Sequence, residues 1–157
     1  MAAHHAKWIK EVQDFFNRST RIFDEADANF APVPGMFNVA AQVMHTALTV
    51  EWFAEGAFRP EGFSMDFEEH DRLARGVASL ADARARLDSA FAHAAEVFGS
   101  KTDAELMEPL PPGMVMGGEP RIAVLSGIED HTAHHRGALT VYARLLGKTP
   151  PMPYMEM

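Results

Sequence analysis

Three histidines stand within five residues of one helical pattern near the C-terminal end: His131, His134 and His135, in Glu129-Asp130-His131-Thr132-Ala133-His134-His135-Arg136-Gly137. On an α-helix, positions i and i+4 lie about 40° apart in azimuth and about 6 Å apart along the axis. Imidazoles so spaced, here His131 and His135, can reach one ion together. A zinc-type cation takes about four ligands, with nitrogens at roughly 2.0–2.1 Å. A second element must therefore contribute, and His45 is the candidate.

The helical wheel sorts these residues. Val124, Ile128, Leu139, Tyr142 and Leu146 form one apolar stripe, and His131 and His135 fall inside it while His134 falls at its rim. His45 shares a face with Ala41, Leu48, Trp52 and Phe53, and Gln42 and Thr49 flank it as candidate supporting groups or plain polar residues at a bundle end. The plainer reading is one hydrogen-bonded core histidine with a rim neighbour. Two adjacent core imidazoles are hard to satisfy by hydrogen bonds alone, which favours a metal.

Four amphipathic stretches must position these side chains. Trp8, Val12, Phe15, Phe16, Ile22, Phe23 and Ala26 recur at helical spacing, predicting a first helix over residues 7–27, with Asp24, Glu25 and Asp27 solvated. His4 and His5 belong to a disordered tail, residues 1–6, without a role. Pro32, Pro34 and Gly35 break the chain before a second helix over residues 36–58. A third helix starts at Ser79 and stops at Gly99, and a fourth runs from Glu119 or Pro120 to Gly147. The long connections carry a short helix near residues 66–72, an exposed His70, and a helical turn opened by Thr102-Asp103-Ala104-Glu105. The second of them, residues 100–118, is expected to rim the pocket, and Arg75, Arg84 and Arg86 to face water. Tyr154 and the methionines of the tail, Met152, Met155 and Met157, are expected to pack on the bundle or on a second copy. No segment alternates like a strand. The fold expected is all-α: a four-helix bundle with long connections between helices 2–3 and 3–4, one domain over residues 1–157.

Composition bounds the partners. The 157 residues carry 22 acidic and 14 basic side chains, a net charge of −8, which argues against nucleic acid or an anionic membrane surface. No apolar run is long enough to span a bilayer, and no signal-peptide pattern opens the chain, so a cytoplasmic location is expected. Cysteine is absent, which removes thiolate ligands, disulfides and a cysteine nucleophile.

His45 on helix 2, with His131-Thr132-Ala133-His134-His135-Arg136-Gly137 on helix 4, resembles the DinB-like (DinB/YfiT) metal-binding helical-bundle family. The resemblance covers nearly the whole chain and is most specific in the helix 4 motif with the following Leu139 to Gly147. Ala138 departs from it, standing where the family commonly has glutamine. The resemblance implies a divalent metal held by His45, His131 and His135, the set the wheel also selects. It further implies a homodimer and, in some relatives, thiol-dependent transfer or isomerisation with a small thiol cofactor. Three imidazoles leave a divalent ion with an open position, as in catalytic zinc sites. The expected ion is zinc or nickel, with iron or another divalent metal as alternatives. The expected function is a metal-dependent enzyme acting on a small molecule, with a low-molecular-weight thiol as one reactant; hydrolysis is a variant. The competing expectation is a non-catalytic metal-binding protein, stress-related or an interaction module. No general base stands out, since Glu129 points away and Asp130 is marginal.

Overall fold

The computed structural model describes residues 2–155, with side chains from residue 4 onward, so Met1 of the tail and Met157 lie outside the described residues. Within them the chain is all-α, with six α-helices, two 3-10 turns and no β-strand.

The first helix, α1 (Ala2–Thr20), begins earlier and ends earlier than the spacing of apolar residues predicts. His4 and His5 lie on its first turns rather than in a disordered tail. It stops because the chain closes a capping box of its own. The Asp24 carboxylate accepts from the Ala26 amide at 3.0 Å, and Asp27 accepts from the Asp24 amide at 2.9 Å. Local side-chain hydrogen bonds of this kind compete with helix continuation. Of the three acids expected in water, Asp24 and Glu25 are exposed as expected, yet all three make structural hydrogen bonds. Asp27 is buried and bonded to Lys148, and Glu25 accepts from the Leu80 and Ala81 amides at 2.8 and 3.1 Å. Glu25 thus holds the start of another helix.

That helix is α4 (Leu80–Ser100), capped by Ser79 and running through Gly99. Before it come α2 (Val39–Gly56), capped by Asn38, and α3 (Phe67–Arg75), capped by Asp66. After it come α5 (Asp103–Met107), opened by a Thr102/Glu105 capping box, and α6 (Val124–Leu145). Each cap satisfies amides that a helix start otherwise leaves unpaired. At the far end of α6, Gly147 takes a positive φ of 74° that suits glycine. Arg84, expected to face water, instead donates to the carbonyls of Thr20 and Phe23, both at 3.0 Å.

α1 and α2 each pack against both α4 and α6, and α3 packs on α2. Phe16, Leu87, Phe91, Phe98, Ile128 and Leu139 are fully buried between them. In the described part of the tail, Tyr154 meets the bundle, whereas Met152 and Met155 are exposed rather than packed. Tyr154 stands edge-on to Phe15 at 5.2 Å, and Arg18 donates to the Pro153 carbonyl at 2.9 Å. No described helix is long and apolar enough to cross a membrane. This arrangement leaves the middle of α2 facing the middle of α6.

Candidate metal centre

His45 projects from α2 toward His131 and His135 on α6. Ring centroids stand 5.1 Å apart for His45 and His131, 4.8 Å for His45 and His135, and 4.4 Å for His131 and His135. One ring nitrogen from each lies within 4.8 Å of the other two. Among the described residues no carboxylate joins this cluster. His134 is exposed, with its ring edge-on to His135, and stays out of it.

A hydrogen-bond relay sets the tautomer of His135. The Tyr142 hydroxyl donates to the Phe37 carbonyl at 3.0 Å. Its oxygen accepts from the Gln42 amide nitrogen at 3.2 Å, which turns the Gln42 carbonyl oxygen toward His135 Nδ1. An amide oxygen only accepts, so Nδ1 carries the proton and Nε2 keeps its lone pair. That lone pair points at His131 Nε2, 3.2 Å away. Nδ1 of His45 and of His131 are buried without a partner among the described residues. Of the two readings the sequence leaves open for Gln42, supporting group or plain polar residue, the structure shows the first, and Tyr142 of the apolar stripe joins it. Thr49 does not play that role toward a ring, for its hydroxyl bonds back to the His45 carbonyl at 2.9 Å.

All three rings are neutral at pH 7. Burial, reinforced by the neighbouring histidines, lowers His131 to about 4 and His135 to about 3. Burial also lowers His45, with the charge of His70 adding to the effect and that of Asp71 opposing it. Neutral imidazoles with a ring nitrogen each within 4.8 Å of the others can present lone pairs to one divalent cation. The donor set therefore fits such an ion.

A cavity of about 390 Å³ opens beside His45 and His131. Its walls are Phe37, Thr49, Trp52 and Phe53, with Phe67, His70 and Asp71 of α3 at the rim. The rim thus comes from the first long connection, not from residues 100–118. That second connection meets residues 61–65 around a separate cavity. His70 is half-buried rather than exposed, its ring centroid 6.5 Å from that of Trp52. Asp71 is held by Arg75 at 2.8 Å. Glu129 and Asp130 are exposed and do not line the cavity.

Fold and site together define an all-helical protein in which two long helices bring three neutral imidazoles to one point. A family model described as the DinB superfamily matches residues 8–139, a span that includes all three histidines. The chain belongs to the DinB superfamily. A search of curated proteins found no match.

Proposed function

We propose that the protein is a divalent-metal-dependent enzyme in which His45, His131 and His135 hold the ion. The observation that carries this is the meeting of three imidazoles, His135 buried and His45 and His131 half-buried, with no carboxylate among them. His131 and His135 already have about the nitrogen separation that tetrahedral ligands at 2.0–2.1 Å require. Three protein ligands would leave a divalent ion a position for a substrate or water, and the cavity lies beside two of those ligands, His45 and His131. A bound ion would supply Lewis acidity there, lowering the pKa of a thiol or a water. The remaining work falls to the chain. Gln42 fixes His135, and Phe37, Trp52 and Phe53 give the neighbourhood of the ion an apolar wall with His70 at its rim. Zinc or nickel is the proposed ion, with iron or another divalent metal as alternatives. The reaction class is transfer or isomerisation with a low-molecular-weight thiol, or hydrolysis. We read the four long helices as a four-helix bundle, on the pairing of α1 and α2 with α4 and α6. The protein is further proposed to be cytoplasmic, as expected from its sequence, and homodimeric, as the resemblance implies.

The test begins with elemental analysis of untagged protein, expected to give about one metal ion per chain and far less in His135→Ala. Loaded protein is then assayed with physiological thiols against electrophiles, and with activated esters and amides. Turnover that disappears in His135→Ala supports the enzyme. One observation favours a second reading, a non-catalytic metal-binding stress or interaction protein: Glu129 and Asp130 lie away from the cavity. Full metal occupancy with no turnover in any assay would favour that reading.

A further inference from the structure

We propose that the cavity beside the three histidines is a subsite for an aryl group, and that its ligand is a small aromatic molecule bearing one anionic donor atom. The donor half rests on the metal reading above, while the aryl half does not. Trp52 is the centre of the wall, with ring centroids 4.9 Å from Phe53, 4.7 Å from Phe63 and 6.2 Å from Phe67. Its indole N–H is already donated to the Ser64 carbonyl at 2.7 Å, so the ring offers the cavity apolar surface. Two glycines seat this wall. A Cβ on Gly127 would lie 2.8 Å from the Phe53 ring, and one on Gly56 would lie 2.2 Å from the Phe63 ring. Phe53 is thus packed closely against α6, and Phe63, which stands behind Trp52, against Gly56, so Trp52 and Phe53 are backed before any ligand arrives, which lowers the cost of binding. Flat rings set at angles suit another flat ring by stacked or edge-to-face contact.

Size and charge narrow the class. An apolar cavity of roughly 150 Å³ holds benzene. About 390 Å³ takes one ring with a short arm. The floor is His45 and His131, neutral donors that leave the charge of a divalent ion unbalanced, so the arm should end in an anion. A cationic ligand would oppose that charge. At the rim the guanidinium of Arg75 is already engaged, lying 4.5 Å over the Phe37 ring and paired with Asp71. A second carboxylate on the ligand therefore gains little there. The ligand is a monoanionic aryl compound.

The test compares benzohydroxamate, acetohydroxamate and the linear six-carbon hydroxamate by calorimetry on zinc-loaded protein. All three offer the same donor group. The phenyl compound should bind at least about 10-fold tighter than the methyl compound and tighter than the linear chain. Trp52→Ala and the milder Phe67→Ala, which alters a largely exposed residue, should each reduce that preference several-fold. Zinc binding with no aryl preference overturns the subsite and leaves the metal reading standing. A preference that neither substitution moves places the ring elsewhere and also overturns it. If zinc does not bind, nickel and iron(II) are tried in its place, and the metal reading fails if none of them binds. The aryl half is then judged on metal-free protein from the two indole N–H resonances in NMR, assigned with Trp52→Phe. Benzyl alcohol should shift the Trp52 resonance and leave that of Trp8 in place. A shift in neither overturns the aryl half.

Discussion

Gln42 holds His135 in one tautomer because every hydrogen bond in its chain runs one way, from ring to amide to hydroxyl to the Phe37 carbonyl. Partners of this kind keep a ligand imidazole aimed and raise its basicity, and their loss typically lowers metal affinity 10–100-fold. Gln42→Leu keeps the bulk and removes the acceptor. Zinc affinity, measured by competition against a chromophoric chelator, should fall within that range while helicity is retained. An unchanged affinity would mean that the tautomer is set by something else. At this scale the meeting of the three histidines is legible in the sequence. The i, i+4 spacing placed His131 and His135 together, and the wheel turned His45 inward. It could not carry Tyr142, because a tyrosine inside an apolar stripe looks like core until its partner 100 residues away is known. His70 misled for a related reason. Its neighbours Glu68, Glu69 and Asp71 suggest water on all sides, yet the aromatic ring of Trp52 stands beside it.

Helices α2 and α6 approach closely enough to share a site, and glycine permits part of that approach. In a helix interior, Gly→Ala ordinarily gains about 0.5–1 kcal/mol by reducing backbone freedom. Gly137 has nothing within 4 Å of an added Cβ, so Gly137→Ala should gain about that much. Gly127 and Gly56 should show the opposite sign, because the new methyl meets the rings of Phe53 and Phe63. Overpacking of this type costs about 1–3 kcal/mol. Urea denaturation of the three variants checks both directions, and a gain at Gly127 or Gly56 would show that the aromatic wall moves freely. Element order and the starts at Asp66, Ser79 and Thr102 follow from local chemistry that a sequence displays, whereas Asn38, inside the second helix as expected over 36–58, is the cap of α2. The end of α1 does not, since Ile22, Phe23 and Ala26 prolong the helical spacing past the point where Asp24 and Asp27 close their box. Which connection rims the cavity is a tertiary fact, decided by the packing of α3 on α2.

Across the whole molecule, the buried histidines tie stability to pH and to metal. In the unfolded chain each titrates near 6.5, whereas burial lowers His131 to about 4 and His135 to about 3 in the fold. Between those values the unfolded state binds more protons, so stability rises with pH. The contribution is complete above about pH 6.5 and is lost as pH falls toward 4, at up to about 1.4 kcal/mol per pH unit for each group. Urea midpoints of metal-free protein at pH 5 and pH 7.5 should show that loss, and His135→Ala should reduce it. Metal acts in the opposite direction, since it binds the folded site. At a free concentration 100-fold above Kd the gain is about 2.7 kcal/mol, which for a chain of this size raises Tm by roughly 5–10 °C. Protons compete for the same lone pairs, so the rise in Tm on adding zinc should be full at pH 7.5 and shrink as pH falls toward 4. Melts recorded over that range with and without zinc measure it. His135→Ala must lose the shift at every pH. An equal shift in that variant would place the ion elsewhere, with His4 and His5 at the start of α1 as the next site to examine.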